Sequence, residues 1–203
     1  MKGNDHVSAD SDNPFSTHRI RPGAVDFLFP PDKSAEALVE RFRELGRCAE
    51  IVGPHGSGKS TLLASLIPAF DRAGLPVVLL TLHDRQRRLP PRLLRDARLR
   101  SPAVLVIDGY EQLNRWNRWR VTRFCRRNGL GFLVTAHESV GLPSLFNTSV
   151  SAELAQRVVE ALLGGNVSVL TGQEVSDCLA RHRGDLRETL FELYDIFERK
   201  TGP

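Results

Sequence analysis

A glycine-rich segment in the first third of the chain carries residue types suited to binding phosphate. Residues 51–61 read IVGPHGSGKST and match the pattern G-x-x-x-x-G-K-[ST] in full, through Gly53, Gly58, Lys59 and Ser60. Glycines let backbone N–H groups turn inward and let phosphate approach closely, and the dipole of a following helix favours the anion. The lysine can reach the β- and γ-phosphates, and the serine hydroxyl can bind Mg²⁺. The segment therefore predicts a site for ATP with Mg²⁺.

We predict that the whole of this glycine-rich loop contacts the nucleotide. Thr61 follows the motif serine and is placed to donate a hydrogen bond to the α-phosphate. Lys59 is also a predicted catalytic residue, because its charge faces the phosphates that react. The predicted nucleotide-binding residues are Gly53, Pro54, His55, Gly56, Ser57, Gly58, Lys59, Ser60 and Thr61.

A second metal ligand is expected at the end of another apolar segment. Residues 103–107, AVLVI, form a strand-like run, and Asp108 follows them directly. Carboxylate oxygens are preferred ligands of Mg²⁺. We therefore predict that Asp108 and Ser60 bind the metal together. The residue after Asp108 is Gly109, and the next acid along the chain is Glu111.

Strands and helices alternate along the segment that holds these residues. The apolar runs at 76–82, 103–108 and 131–137 are rich in β-branched and aliphatic residues, as expected for strands covered on both faces. Shorter strands are predicted at 48–53 and 144–150. Helices are predicted at 35–46, with Ser34 as N-cap, and at 59–74, 113–129, 151–165, 172–184 and 185–200.

This alternation predicts an α/β fold with three layers, in which helices cover a parallel sheet through right-handed crossovers. A chain of 203 residues is long enough for one such domain and a small appendage. We predict a disordered tail at 1–12, the core with an irregular N-terminal arm at 13–150, and a C-terminal helical unit at 151–203.

The basic charge of the chain is concentrated in one region. The formal net charge is +4, yet residues 84–127 alone contain thirteen arginines and four acids. Arginines neutralise phosphates and exposed aromatic rings stack on bases, so this region is a candidate surface for nucleic acid. Trp119 is predicted to be exposed, whereas Trp116 falls on the apolar arc of its helix and is predicted to lie in the core. A solvated arginine-rich face remains the alternative.

Apolar runs and cysteine spacing indicate the cellular compartment of the protein. No apolar run approaches the roughly 20 residues that span a membrane, and the first residues, MKGNDHVSADSDN, lack the apolar region of a secretory signal. Cys48, Cys125 and Cys178 are widely spaced and form no C-x-x-C pair, which favours reduced thiols over disulfides or a zinc site. We expect a cytoplasmic protein with no membrane partner.

Three further segments resemble a known group of ATPases. VIDGYEQL resembles the Walker B strand of STAND-type NTPases, relatives of the AAA+ ATPases, in its D-G-x-[DE] form. FLVTAHESVGLPSL resembles their sensor strand, with His137 where arginine is usual. EVSDCLARHRGDLRETLFELYDIF resembles the helical lid of AAA+ proteins. The resemblance spans about residues 48–199 and implies a P-loop NTPase fold in which the sensor strand lies between the Walker A and Walker B strands.

The same resemblance implies catalytic roles. Glu111 would orient and deprotonate the attacking water, Thr135 would hold that water or sense the γ-phosphate, and Arg187 would reach the γ-phosphate from the lid. The implied activity is ATP hydrolysis that drives or gates contact with a protein or nucleic-acid partner. Proteins of this group often act as homo-oligomers in which a neighbour supplies an arginine.

Two other functions fit the residues. One is a module in which ATP switches the affinity for nucleic acid or a protein partner, with slow turnover or none. The other is a small-molecule kinase, with Asp84 as base and the arginine-rich stretch 85–100 as a lid. Strand order separates the kinase from the ATPase, because kinases place the Walker B strand directly beside the P-loop strand.

Overall fold

The structure is a computed structural model that describes residues 13–21, 24–83, 86–164 and 169–201. The predicted tail at 1–12 and the candidate base Asp84 lie outside these residues. The chain divides into two compact units, one formed by residues 29–149 and the other by the described residues of 1–28 and 150–203. The helices are α1 (Thr17–Ile20), α2 (Ala35–Glu44), α3 (Lys59–Arg72), α4 (Arg115–Arg127), α5 (Ala152–Leu163), α6 (Gly172–Arg181) and α7 (Leu186–Thr201).

Five strands of the described chain form one parallel sheet in the larger unit. The sheet has the order β2-β3-β4-β1-β5, so β4, the predicted sensor strand, lies between β1 and β3. This confirms the predicted α/β fold and the predicted strand order. The strands are β1 (Cys48–Val52), β2 (Val77–Thr81), β3 (Val104–Asp108), β4 (Gly131–Ala136) and β5 (Ser144–Asn147).

The central strands are buried because helices cover both faces of the sheet. Every residue of β4 is buried, and β3 is buried up to its last residue, Asp108. Ile107 pairs with Val134, so Asp108 and Thr135 follow at the same edge of the sheet. Since all strands are parallel, the carboxyl ends of β1, β3 and β4 meet there.

Helices α2 and α3 begin where the sequence predicts, whereas α4 begins at Arg115, two residues after the predicted start. The Ser34 hydroxyl accepts a hydrogen bond of 3.1 Å from the Ala37 amide at the start of α2, as an N-cap does. Helix α3 begins at Lys59, directly after Gly58 in the left-handed conformation. The glycine-rich loop therefore leads from the carboxyl end of β1 straight into a helix N-terminus.

The smaller unit joins the N-terminal arm to the C-terminal helices. Phe15 is fully buried and meets the ring of Phe197 edge to face at 5.9 Å. The side-chain amide of Asn13 donates to the Glu198 carboxylate at 2.6 Å. These contacts group residues 13–28 with the C-terminal helices, whereas the sequence suggested that the arm accompanies the core. None of the helices in the described ranges has the length and apolar character needed to cross a membrane.

Candidate nucleotide-binding site

The glycine-rich loop has the backbone conformation that its sequence requires. Gly56 and Gly58 have positive φ angles of 63° and 88°, which strain residues with a β-carbon. The first hydrogen bond of α3 runs from the Leu62 amide to the Gly58 carbonyl oxygen at 2.8 Å, so the amides of Lys59, Ser60 and Thr61 precede it and have no carbonyl acceptor within the helix. These three amides carry the positive end of the helix dipole. The loop is thus suited to an anion.

Gly53 is required by a close approach of the chain after β5. A β-carbon at Gly53 would lie 2.5 Å from the carbonyl oxygen of Thr148 and 2.7 Å from Ser57 Oγ. Thr148 is buried, and its hydroxyl lies 2.6 Å from the Ser57 hydroxyl. The Ser57 hydroxyl also lies 2.8 Å from the carbonyl oxygen of Pro54, to which it donates. Thr148 therefore braces the first half of the loop, a role that sequence analysis missed.

The Lys59 ammonium is held inside the loop. Its Nζ donates to the carbonyl oxygens of Gly53 at 2.6 Å and Pro54 at 2.7 Å. The residue is only 9% exposed, so its charge acts in a partly desolvated setting, where electrostatic interactions are stronger. The positive charge is consequently held at the start of the glycine-rich loop, by two of its carbonyl oxygens.

Ser60 and Asp108, the two predicted metal ligands, are in direct contact. The Ser60 hydroxyl donates to Asp108 Oδ2 at 2.7 Å. Thr135, which is fully buried on β4, donates its hydroxyl proton to Asp108 Oδ1 at 2.5 Å and accepts the Gly109 amide at 2.9 Å. The carboxylate is fixed from both sides. The hydroxyl of Thr135 has one proton, and it is donated to Asp108. In this structure Thr135 therefore supports the Asp108 carboxylate.

The turn after Asp108 brings Glu111 to the end of β4, close to His137. Gly109 has a φ of 81°, and a one-turn 3-10 helix follows at Tyr110–Gln112. Glu111 Oε1 lies 3.5 Å from His137 Nε2, and Glu111 Oε2 is buried without a hydrogen-bond partner among the described residues. The rings of His55 and His137 are 4.2 Å apart. Residues of the glycine-rich loop, of the turn after β3 and of the end of β4 thus meet in one place.

Arg187 belongs to the other unit. It is the second residue of α7, its side chain is exposed, and its guanidinium carbon lies 5.8 Å from the centre of the Phe191 ring. Its contact with the γ-phosphate stays a prediction.

A buried carboxylate on β1 fixes the loop that follows β4. Glu50 is 2% exposed and accepts hydrogen bonds from Ser139 Oγ at 2.5 Å and from the amides of Val140 and Leu142 at 2.9 and 3.2 Å. Sequence analysis missed Glu50, although one charged residue within the apolar run CAEIV was an available signal. A buried charge of this kind needs several donors.

The face that α4 buries differs from the predicted one. Trp116 is 61% exposed, so the prediction that it lies in the core is wrong. Val121 and Cys125 are buried together with Asn117, whose amide group donates to Asn114 Oδ1 at 2.9 Å and so satisfies one of its donors. Trp119 is 59% exposed, which confirms its predicted position at the surface.

Sheet order and the glycine-rich loop together define the fold of a P-loop NTPase of the ATPase type. No protein-family model matches the chain, and no curated protein matches it. Solved structures with this fold do match it. One is the replication initiator DnaA bound to AMPPCP and single-stranded DNA, at 15% identity and a TM-score of 0.58, with 87% of this chain and 64% of that chain covered. Another is a Walker-type ATPase of Pyrococcus abyssi, at 10% identity and a TM-score of 0.58, with 87% of this chain and 69% of that chain covered.

The present chain therefore spans less than two thirds of the length of the first of these proteins. At such low identities the likeness shows the fold alone, and it assigns no role to individual residues of the site.

Proposed function

We propose that the chain binds ATP with Mg²⁺ and hydrolyses it. The observation that carries the proposal is the 2.7 Å hydrogen bond between the hydroxyl of Ser60, at the start of α3, and the carboxylate of Asp108, at the end of β3. A hydroxyl and a carboxylate can bind one Mg²⁺ ion together only when they are this close to each other. The other contacts of the site support the same chemistry.

The donor set suits Mg²⁺. Hydroxyl and carboxylate oxygens are hard ligands, and Mg²⁺ is typically bound by one or two protein ligands together with substrate phosphates. Ser60 and Asp108 would hold the ion, and Thr135 keeps the Asp108 carboxylate in one orientation through its 2.5 Å hydrogen bond. When bound, the metal neutralises charge on the phosphate oxygens.

The loop residues supply the rest of the phosphate site. The Lys59 ammonium is held by two loop carbonyls, so the loop offers positive charge together with the N–H donors that begin α3. Gly53, Gly56 and Gly58 let the backbone take this shape. Preorganised donors of this kind stabilise charge that develops on phosphate during transfer.

Glu111 is the best candidate for the residue that activates water. Its Oε2 is buried without a hydrogen-bond partner in the described chain, and leaving such an acceptor unpaired costs about 1–3 kcal/mol. An incoming water can satisfy it and would be deprotonated there as it attacks. His137, at 3.5 Å from Oε1, orients the other oxygen.

The kinase alternative receives less support. The sensor strand β4 separates β1 from β3, which is the order expected for the ATPase class. Glu111 lies on the turn directly after the Asp108 strand, near the end of β4. We therefore propose hydrolysis, and we further propose that Arg187 and the C-terminal helices act as a lid that reports the bound nucleotide to a partner protein or to a second copy of the chain.

Two assays, one of ATP binding and one of phosphate release, test nucleotide binding and hydrolysis separately. We expect Lys59→Ala to lose binding of radiolabelled ATP in equilibrium dialysis. Glu111→Gln should bind ATP normally and release phosphate at least about 100-fold more slowly, the usual contribution of a general base. Lys33→Ala and Glu40→Gln remove exposed groups of the same types and should match the wild type in both assays.

Other results would redirect or end the proposal. If Glu111→Gln released phosphate at the wild-type rate, another group would be the base. If Glu111→Gln and the wild type were equally slow while both bound ATP tightly, the chain would act as a nucleotide-dependent switch. Absence of ATP binding by the wild type in the presence of Mg²⁺ would refute the proposal as a whole.

A further inference from the structure

An open groove runs along one face of α4 in the larger unit. It has a volume of about 680 Å³, and Tyr110 and the side chains of Val140 and Leu142 line its other side. The α4 residues that line it include one tryptophan and five arginines: Arg115, Arg118, Trp119, Arg123, Arg126 and Arg127. We refer to it as the α4 groove.

Among the described residues, no acid forms an ion pair with the arginines of the α4 groove. Helix α4 contains six arginines and no acidic residue. Within the described parts of the chain, no carboxylate lies within 4.0 Å of any of these six guanidinium groups, whereas Arg72 and Arg98 each pair with an acid at 2.7 Å. A set of mostly exposed guanidinium groups without ion-pair partners among the described residues creates a local positive potential on one helix. The groove therefore suits a partner with repeated negative charges.

Exposed aromatic rings accompany this charge. Trp116 and Trp119 are 61% and 59% exposed. The Arg120 guanidinium lies 5.1 Å from the centre of the Trp116 ring, and that of Arg123 lies 5.7 Å from the centre of the Trp119 ring. Large exposed aromatic residues mark interaction sites when they gather in one patch. Rings next to guanidinium groups can stack on bases while the charges meet phosphates.

The two walls of the α4 groove are preorganised by hydrogen bonds within the protein. Its wall opposite α4 is held by the buried Glu50 carboxylate, which accepts the amides of Val140 and Leu142. Asn114 caps the start of α4 by accepting the Asn117 amide at 2.9 Å. Both walls thus belong to rigid parts of the unit, which lowers the entropic cost of binding.

We propose that the α4 groove binds single-stranded nucleic acid. The arginines of α4 contact successive phosphates, and Trp119 stacks on a base. The arginines alone would suit any polyanion, but Trp119, the exposed tryptophan that lines the groove, suits a ligand that also presents flat unpaired rings, whereas Trp116 is not among the lining residues. Bases within a duplex are stacked on each other, so single strands are favoured over double strands.

The groove also touches the turn that carries Glu111. The Arg118 guanidinium donates to the carbonyl oxygens of Glu111 at 2.6 Å and Leu113 at 2.8 Å, and it lies 5.4 Å from the centre of the Tyr110 ring. These bonds use Nε and Nη2, so a phosphate bound by Nη1 would share one guanidinium with the two carbonyls of the turn. Nucleic acid in the groove is therefore coupled to the position of Glu111, a consequence that rests on the proposed ATPase function.

Fluorescence anisotropy with labelled oligonucleotides tests the binding. The probes are a 20-nucleotide oligo(dT) and a 20-base-pair duplex, titrated with the full chain at several salt concentrations. We expect the wild type to prefer the single strand, with log K falling by about 0.7 per phosphate contact for each unit of log salt. Arg123→Gln/Arg126→Gln should lower that slope by about 1.4, the share of two contacts.

The variants at Trp119 separate stacking from charge. Trp119→Ala should weaken binding by about 5- to 150-fold, the usual effect of losing one stacked base, with the salt slope unchanged, and Trp119→Phe should restore most of it. Arg98→Gln is the matched control, since this arginine lies in the same basic region but pairs with Asp96 and does not line the groove. Thermal unfolding of each variant checks that it folds.

Several outcomes would overturn the proposal. These are preference for the duplex, equal binding by Trp119→Ala and wild type, and displacement of oligo(dT) by polyglutamate at equal charge, which would indicate an acidic protein segment. Binding to phosphatidylserine vesicles without binding to oligo(dT) would indicate a membrane surface instead.

Two further measurements test nucleic-acid binding separately from the proposed ATPase activity. Lys59→Ala should bind oligo(dT) in the absence of nucleotide as tightly as the wild type, so loss of ATP binding does not affect the test. In the wild type, saturating oligo(dT) should change the rate of phosphate release, and this change should be absent in Trp119→Ala at the same concentration. An unaltered rate in the wild type would refute the coupling through Arg118.

Discussion

The Ser60 hydroxyl and the Asp108 carboxylate lie 2.7 Å apart, although 48 positions separate them in the chain. The sheet brings them together, because β1 and β3 are both neighbours of β4 and their carboxyl ends face the same edge. Thr135 is on β4, the strand between β1 and β3, and donates to the same carboxylate. The candidate metal site is thus a product of strand order as much as of the two residues.

Thr135→Val tests the support that the Asp108 carboxylate receives. The substitution removes the hydroxyl that donates to Asp108 Oδ1 and accepts the Gly109 amide. Loss of such an outer contact to a metal ligand typically lowers metal affinity by about 10- to 100-fold, and we expect that range for the Mg²⁺ dependence of ATP binding, measured by calorimetry. Thr135→Ser keeps the hydroxyl and should stay close to the wild type. Equal Mg²⁺ dependence of Thr135→Val and wild type would show that Asp108 needs no such support.

Gly53→Ala tests the close approach of the loop to Thr148. The new β-carbon would meet the carbonyl oxygen of Thr148 at 2.5 Å, and backbone cannot move as a side chain can. We expect a loss of about 1–3 kcal/mol in the free energy of unfolding, as for other overpacked sites, together with weaker ATP binding. Gly172→Ala is the matched control, because its β-carbon would meet only the flexible end of Gln156 at 3.1 Å. Urea titrations of both variants measure the difference, and an unchanged Gly53→Ala would contradict the contact.

The sequence predicted the parts of the site that rest on local chemistry. Gly58, Lys59 and Ser60 are recognisable from a fixed pattern, and the apolar run before Asp108 indicates a buried strand wherever it occurs. Their meeting also required the strand order, which came from resemblance to a family and not from the residues alone. The structure confirms that order.

The residues that were missed act over long distances in the chain. Thr148 braces a loop that lies 91 positions earlier, at Ser57, and Glu50 fixes Val140, 90 positions later. No local pattern relates such pairs. Trp116 was misplaced for another reason, since a helical wheel ranks residues by hydrophobicity, whereas Asn117 occupies the buried face because its amide finds partners there.

Glu50→Gln tests the anchor of the wall opposite α4. The carboxylate oxygen Oε2 accepts two backbone amides, from Val140 and Leu142. In Glu50→Gln, an NH₂ group at the position of Oε2 would face the N–H groups of Val140 and Leu142. If the amide is flipped, the NH₂ group lies at the position of Oε1 instead, and the Ser139 hydroxyl loses its acceptor there. We expect about 1–3 kcal/mol lower free energy of unfolding and faster hydrogen exchange at the amides of Val140 and Leu142. Glu40→Gln, on the exposed face of α2, should change stability by less than about 0.5 kcal/mol, and protection unaltered by Glu50→Gln would argue against the anchor.

The three thiols should react at different rates in the native protein. Burial raises the pKa of Cys125 to about 12, and it also raises the pKa values of Cys48 and Cys178 above their usual range. Because the thiolate is the reactive form, we expect little alkylation of Cys125 by iodoacetamide at pH 8, and faster alkylation of Cys48, the half-buried one. Mass spectrometry of timed samples measures each site, and all three should react at similar rates in urea. Native Cys125 reacting as fast as Cys48 would contradict its burial on the inner face of α4.

Glu174 gives the smaller unit a dependence on pH. Its pKa is lowered to about 2, first by the hydrogen bond from Lys200 and then by the backbone and hydroxyl of Thr171, which form a capping box with it. A carboxylate with a depressed pKa in the folded state stabilises above its ordinary pKa of 4.5, and this stabilisation is lost as the pH falls from there toward 2. Because the side chain is about one third exposed, solvent limits the contribution to about 1 kcal/mol or less.

Glu174→Gln should therefore unfold more easily than the wild type at pH 7, and the difference should shrink steadily between pH 4.5 and pH 2. Urea titrations across that range, followed by helical circular dichroism, measure the difference in the free energy of unfolding. Lys200→Met removes the first partner and should produce a similar loss at pH 7. Because Glu174 then lacks the main cause of its lowered pKa, the stability of this variant should change less between pH 4.5 and pH 2 than that of the wild type. Glu160→Gln changes an exposed acid of α5 and should match the wild type within about 0.5 kcal/mol. A difference for Glu174→Gln that stayed constant down to pH 2 would show that the effect comes from the shape of the side chain and not from its charge.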